Sequence, residues 1–163
     1  MNPNNAEISL ISKESIAVAA AELMKSPNAL SVTGVCATAG VSRNAFYRNF
    51  ETMDDVLIYY MVLRWAEYSR EHDVENGPQD KINAHLIRFF YEHRDFIRAL
   101  KKHHQLYLVE SLFKRVIIPL DAEGPMRYFL YGTAYMIYGF IRAMIDNDFA
   151  DSPDSIETMF EKK

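Results

Sequence analysis

The chain has 163 residues, a formal net charge of −4 and 49% apolar residues, a composition typical of a folded domain that excludes a disordered or low-complexity protein. Its single cysteine excludes an intramolecular disulfide framework and a cysteine-based zinc site, and it fits a reducing compartment. No basic stretch leads into an apolar run near Met1, so we expect a cytoplasmic protein without a secretory leader. The charge-free apolar run over residues 128–141 is shorter than the roughly 20 residues that cross a bilayer, so we expect no membrane partner.

Apolar residues recur at helical spacing along almost the whole chain, and no segment alternates in the way that a half-buried strand does. The sequence therefore predicts an all-α fold with about nine helices. The first helices are predicted over residues 12–25, 31–39, 43–50 and 52–72. Later helices are predicted from Pro78 to a turn at residues 93–95, in a short segment ending at Lys102, and over residues 106–116, 126–146 and 152–161.

The clearest break in the sequence is Asn76-Gly77-Pro78, but the domain boundary is expected earlier, inside the fourth helix. That helix must pack on the first three helices, yet its second half continues into an aromatic-rich region. We predict a helix-turn-helix DNA-binding domain over residues 1–55 and a helical ligand-binding and dimerisation domain over residues 56–163.

Residues 30–56 have the pattern of a helix-turn-helix unit. Gly40 permits a sharp turn, and Ser42 can cap the helix that follows it. On that helix Phe46 and Phe50 should point to the core, whereas Arg43, Asn44, Tyr47 and Arg48 should form the opposite face. No carboxylate occurs over residues 23–50, so a locally positive surface is possible on an acidic chain. Such a helix can read base edges and phosphates in a major groove, although plain helical hairpins share the same pattern.

The segment around this pattern resembles the DNA-binding domain of the TetR family of bacterial regulators. The matching strings are "IAVAAAELM", "SVTGVCATAGVS", "RNAFYRNF" and "ETMDDVL". The resemblance implies a homodimer that reads a palindromic DNA operator, and we expect it to act as a repressor. The residues assigned to DNA are Ser31, Thr33, Ser42, Arg43, Asn44, Ala45, Tyr47 and Arg48. Of these, Ser31, Ser42, Tyr47 and Arg48 are expected at phosphates, and Arg43, Asn44 and Ala45 at base edges.

Two positions depart from the family pattern. Met53 stands where the family usually has a lysine, which removes one cation from the phosphate contacts. Asn44 stands where the family often has glycine, and its amide could read adenine. Met53 and the acidic net charge also keep an alternative open: a helical small-molecule-binding or enzymatic dimer that has lost sequence-specific DNA binding. A protein-interaction adaptor is a third possibility.

The second half is rich in aromatic residues, which either fill a helical core or line a pocket for a small effector. For any single residue the core is the favoured interpretation. A buried tyrosine hydroxyl needs a partner, so a dense tyrosine content favours a polar-lined pocket or a partner surface. The candidate ligand-binding residues are Trp65, Tyr68, Phe89, Tyr107, Tyr128 and Tyr135.

The long helix near the end of the chain carries small residues along one side. Glycine inside a helix costs about 0.5–1 kcal/mol relative to alanine, so two glycines suggest close approach of another helix. The predicted dimer interface contains Gly132, Met136, Gly139 and Ala143, joined by the helix over residues 152–161.

Catalytic and metal-binding patterns are not evident in the sequence. The five histidines lack the helical spacing of a metal site, and no nucleophile lies in a pattern with a base. Cys36 is expected in the core. We therefore expect no metal, no cofactor and no enzymatic activity.

Overall fold

A computed structural model describes residues 3–26, 30–74, 76–77, 82–117 and 123–161. Within these ranges the chain forms nine α-helices and no strand, which confirms the predicted all-α fold. The helices are α1 (Pro3–Lys25), α2 (Val32–Ala39), α3 (Arg43–Asn49), α4 (Met53–Glu71), α5 (Ile82–Glu92), α6 (Arg94–Lys102), α7 (Tyr107–Ile117), α8 (Gly124–Asp146) and α9 (Pro153–Glu161). Pro78, the predicted start of the fifth helix, lies outside the described residues.

The chain divides into two compact units, Met1–Leu63 and Arg64–Lys163, and the division lies inside α4. In the first unit α1 packs against α2 and α3, and α2 packs against α3. Its core consists mainly of small and aliphatic side chains from α1 together with Phe46, Phe50 and Leu57. The single cysteine, Cys36, is buried among them as predicted.

The second unit is organised around α5 and α8. Helix α5 contacts α6, α8 and α9, and α8 also contacts α6 and α7. The core between them is formed by large residues such as Phe90, Ile97, Leu108 and Ile141, each at most 1% exposed. Lys101 donates to the carbonyl of Ile145 over 2.9 Å and so ties α6 to the last turn of α8.

Helix α1 is longer than the sequence predicted, since it begins at Pro3 instead of near Ser12. The additional turns expose Ile8, Leu10 and Ile11, each more than half exposed to solvent. Because these apolar residues do not continue the buried stripe of the helix, periodicity alone placed its start too late. Proline is compatible with this start because the first helical N–H has no partner within the helix.

Candidate functional site

The segment from Ser31 to Phe50 folds as two short helices joined by a tight turn. Helix α2 begins after Ser31, whose Oγ accepts a hydrogen bond from the N–H of Gly34 over 3.1 Å. It ends at Gly40, which adopts φ +67°, a left-handed conformation that suits a residue without Cβ. Helix α3 begins after Ser42, whose Oγ accepts from the N–H of Ala45 over 3.1 Å. The predicted caps and turn are therefore confirmed.

The orientation of α3 about its own axis is determined by its aromatic residues. Phe46 is fully buried and Phe50 is 5% exposed, as the sequence predicted. Their ring centroids lie 6.1 Å apart, and the Phe50 ring also makes an edge contact with Tyr59 of α4 at 5.6 Å. The Lys13 ammonium lies 4.4 Å from the Tyr59 centroid, which adds a cation–π contact from α1. With this side of α3 held in the core, the opposite side must face outward.

The outward side of α3 carries hydrogen-bond donors and no carboxylate. Arg43, Asn44, Tyr47 and Arg48 are all exposed, and Ala45 at the edge of this face is half-buried. Tyr47 is 53% exposed, although its ring keeps an edge contact with Phe46 at 5.3 Å. Among the described residues, neither arginine makes an ion pair, so both guanidinium groups are available to a partner.

The remaining residues assigned to DNA lie at the starts of α2 and α3. Ser31, Thr33 and Ser42 are exposed. The two serine hydroxyls accept capping hydrogen bonds, and accepting leaves each O–H proton free to be donated. A serine can therefore cap its helix and donate to a phosphate oxygen at the same time. The eight predicted residues thus lie within one continuous segment of the first unit, which makes simultaneous contact with one ligand possible.

Two positioning contacts were not evident in the sequence. The Asn49 side chain donates to the Ala45 carbonyl over 2.7 Å and accepts from the Ser9 hydroxyl over 3.0 Å. This chain of bonds connects the last turn of α3 to α1 across 40 residues of sequence. Only the asparagine itself could have suggested it, because amides near helix ends often bond to the backbone.

The start of α4 is closed by a reciprocal pair of bonds. The Thr52 Oγ1 accepts from the N–H of Asp55 over 3.2 Å, while the Asp55 carboxylate accepts from the N–H of Thr52 over 3.1 Å. This arrangement is a capping box with aspartate in place of glutamate. Met53, the first residue of α4, is half-buried and supplies no charge beside α3.

Three of the six predicted ligand-binding residues come together in the second unit. Trp65 stacks on Tyr68 at 5.7 Å, and Phe89 makes edge contacts with both rings. The Tyr68 hydroxyl lies 3.3 Å from Nδ1 of His85, which gives this buried group a partner. Burial, followed by the nearby Glu92 carboxylate, raises the pKa of Tyr68 to about 12. The cluster therefore has the packing of a satisfied aromatic core.

The other three candidates lie on the surface instead of beside this cluster. Tyr107 is 51% exposed, Tyr128 81% and Tyr135 43%. Tyr135 donates to Glu110 over 2.7 Å, and Lys114 pairs with the same carboxylate at 2.9 Å. Hydrogen bonding from Lys114, followed by that from Tyr135, lowers the pKa of Glu110. A cavity of about 10 Å³ beside this group has room for one water molecule at most. The six candidates therefore do not line one shared pocket.

Helix α8 is buried on one side and open on the other. The predicted interface residues Gly132, Met136, Gly139 and Ala143 all lie on the exposed side. Met136 is 51% exposed, and Phe129, two turns before it on the same side, is 68% exposed. A Cβ added at either glycine would meet nothing within 4 Å, so no contact within the chain requires glycine there.

No helix in the described residues is both long and apolar enough to cross a membrane. A comparison with models of known protein families and with curated protein sequences found no match to the chain. The likeness to the TetR family therefore rests on the motifs quoted above and stays a prediction.

Proposed function

We propose that this protein is a homodimeric DNA-binding transcriptional regulator of the TetR type that reads its operator with α3. The observation that carries the proposal is the outward face of α3, where Arg43, Asn44, Tyr47 and Arg48 are exposed and no acid intervenes. Arginine and asparagine donate to base edges in the major groove, while tyrosine and arginine donate to phosphates. The anchored position of α3 supports this role, because a recognition helix must hold its side chains in one register.

Homodimer formation is supported by the open side of α8. Exposed Phe129 and Met136 alternate there with Gly132 and Gly139, so this side is apolar. The glycines carry no side chain, so the backbone of another helix can approach closely at these two positions. A two-fold axis through this side would pair each helix with its own copy, as an isologous interface requires. A dimer would also supply two copies of α3, and paired recognition helices bind half-sites whose spacing follows the symmetry of the protein.

A small effector remains part of the proposal in a restricted form. Trp65, Tyr68 and Phe89 form the aromatic cluster from which ligand contacts could arise, and Tyr68 carries its polar group. Because Tyr68 and Phe89 are almost fully buried, an effector would have to displace packed side chains there. Its action would be to change the population of dimers whose two α3 helices fit one operator.

The test is selection of bound duplexes from a random DNA library by gel shift, followed by titration at several salt concentrations. We expect enrichment of an inverted repeat whose half-sites lie about one helical turn, or a multiple of it, apart. A double variant Arg43→Ala, Asn44→Ala should lose the enrichment. The control Arg70→Ala, which removes an exposed cation from the end of α4, should keep it.

Failure to retain any duplex selectively at low salt would reject the proposal. The alternative of a helical small-molecule-binding or enzymatic dimer without DNA recognition would then be favoured. Enrichment that survives loss of Arg43 and Asn44 would show that another surface reads DNA, and it would remove α3 from the mechanism.

A further inference from the structure

A groove on the first unit lies between α1 and α2. It has a volume of about 440 Å³ and is lined by Ile11, Glu14, Ser15, Val18, Ala19, Glu22, Thr38 and Ala39. The DNA assignment uses none of these residues. The groove is therefore a separate feature of the first unit.

The groove combines apolar side chains from both helices with the polar side chains of Ser15 and Thr38 and two glutamates. Ala19 is 3% exposed and forms part of the floor, whereas Ile11 is 58% and Val18 is 37% exposed. Ile8, three residues before Ile11 and so on the same side of α1, is 53% exposed and continues the apolar stripe beyond the groove. Ile8, Ile11 and Val18 therefore form an exposed apolar patch on one side of α1, with Ser15 between the last two, and such a patch is typical of a surface that another molecule covers.

Carboxylates are the only charged groups that line the groove. Glu14 and Glu22 lie on the same side of α1, and eight residues of helix separate them by about 12 Å. Neither makes an ion pair or hydrogen bond within the described part of the chain, and no lysine or arginine lines the groove. Two unneutralised carboxylates beside an apolar row favour an occupant that combines cationic and apolar groups.

These properties exclude several occupants. Nucleic acid and anionic lipid would be repelled by Glu14 and Glu22. A small molecule would stay largely in water, because Ile11 and Glu22 at the rim are exposed, whereas ligand sites usually bury about 70–90% of a ligand. A helix from another protein can follow the row from Ile8 to Val18, which rises about 15 Å along α1.

We propose that this groove is a docking site for an amphipathic helix of a partner protein, with apolar residues on one face and arginine or lysine at its edges. The apolar side chains would cover Ile11 and Val18, and two cations about two turns apart would neutralise Glu14 and Glu22. The inference does not depend on DNA binding by α3. A regulator with such a groove would have a protein contact on the same unit as its recognition helix.

The test measures fluorescence anisotropy with the full chain and a labelled, end-capped peptide of about 18 residues. The peptide is alanine-rich, with a leucine stripe and two arginines about two turns apart on one face. We expect saturable binding that weakens as salt is raised. The double variant Glu14→Gln, Glu22→Gln should weaken it about three- to tenfold, the sum expected for two exposed ion pairs. Ile11→Ala should weaken it by about threefold or more.

The matched control is the double variant Glu51→Gln, Glu71→Gln, which removes two exposed carboxylates that do not line the groove. It changes the net charge by the same amount as the Glu14→Gln, Glu22→Gln variant and should alter the peptide dissociation constant by less than about twofold. Circular dichroism and thermal unfolding check that all variants fold, which is expected because glutamine matches glutamate in size.

Several outcomes would overturn the proposal. The first is the absence of saturable binding, and the second is an equal loss in both double variants, which would mean attraction to net charge alone. The third is a different molar mass in solution, without peptide, for the Glu14→Gln, Glu22→Gln variant and the parent protein. That result would mean that the groove is a contact between copies of the chain. The fourth is equally tight binding of decylamine, which would assign the groove to small amines.

Discussion

Helices α3 and α8 each expose one side, and the two sides differ in chemistry and in how they are supported. The open side of α3 carries Arg43, Asn44 and Arg48 and is held by a cap, two buried rings and Asn49. The open side of α8 carries Phe129 and Met136 with two glycines between or beside them. A short, anchored, cationic helix suits an anionic partner, whereas a long apolar helix suits a second apolar surface.

The difference in chemistry determines how binding at each side should respond to salt. Arginines on α3 that neutralise DNA phosphates release the counterions bound there, so binding through this side should weaken as the salt concentration is raised. Apolar groups on α8 are already unfavourable in water, so covering them should be driven by burial and should depend little on salt. Substitutions on α3 should therefore change the salt dependence of binding, whereas substitutions on the open side of α8 should change the affinity between copies with little effect of salt.

The largest effect is expected from a charge placed on the open side of α8. Met136→Glu would bury a carboxylate without a partner at the two-fold contact, at a cost of about 3 kcal/mol or more. The dimer dissociation constant should rise at least about 100-fold, which sedimentation equilibrium can measure. Leu10→Glu is the control, because Leu10 is also an exposed apolar residue, at 52%, but lies on α1 in the first unit. Equal dissociation by both variants, or a monomeric parent protein, would contradict the assignment of this interface.

The next effect concerns the division of roles on α3. Arg43→Ala should weaken the free energy of binding to the preferred operator by about 1–3 kcal/mol and that to random DNA by much less, because a base contact is lost. Arg48→Ala should weaken both duplexes alike and reduce the salt slope by about one, because a phosphate contact is lost. Gel-shift titrations with the two duplexes distinguish these patterns. The same loss pattern for both variants would mean that the two arginines do not have the separate roles assigned to them.

A smaller effect should come from Ser42, which supports α3 and also faces outward. Ser42→Ala removes the bond from the N–H of Ala45 and should lower the free energy of unfolding by about 0.5–2 kcal/mol in urea. Ser42→Asp retains a capping oxygen, so stability should be kept while DNA binding weakens through repulsion of phosphate. If the aspartate variant binds DNA as well as the parent protein, Ser42 does not lie near the phosphates.

The first unit shows which parts of the fold could be predicted from sequence. Ser31, Gly40 and Ser42 act through bonds to neighbours within four residues, so their roles can be recognised locally. Helix α3 was therefore predicted with nearly correct ends. The hydrogen bond between Ser9 and Asn49 joins residues far apart in the sequence, so no local sequence pattern predicts it.

The second unit shows where such prediction fails. Its helices were predicted from periodicity together with helix-end signals such as Ser152-Pro153, but the side of a helix that faces the core depends on neighbours that are distant in sequence. Tyr68 and Tyr128 looked equivalent as ligand candidates, yet one is 4% and the other 81% exposed. The open side of α8 was predicted from its two glycines, because glycine inside a helix is costly and suggests close approach of another helix. The structure shows that both glycines are exposed, and the pairing of this side with a second copy stays a prediction.

The smallest effect is a gain of binding at Met53, where the family pattern has a cation. Met53→Lys places an ammonium one residue into α4, close in sequence to the end of α3. One added phosphate contact should tighten operator binding about fivefold at 0.1 M salt and make the salt slope steeper by about 0.9. The lysine should also cost up to about 1 kcal/mol of stability, because a cation at a helix N-terminus opposes the dipole. Met53→Gln provides the control, since it adds polarity without charge and should leave the salt slope unchanged. If both variants tighten binding equally, the charge is not responsible, and Met53 does not mark a missing phosphate contact.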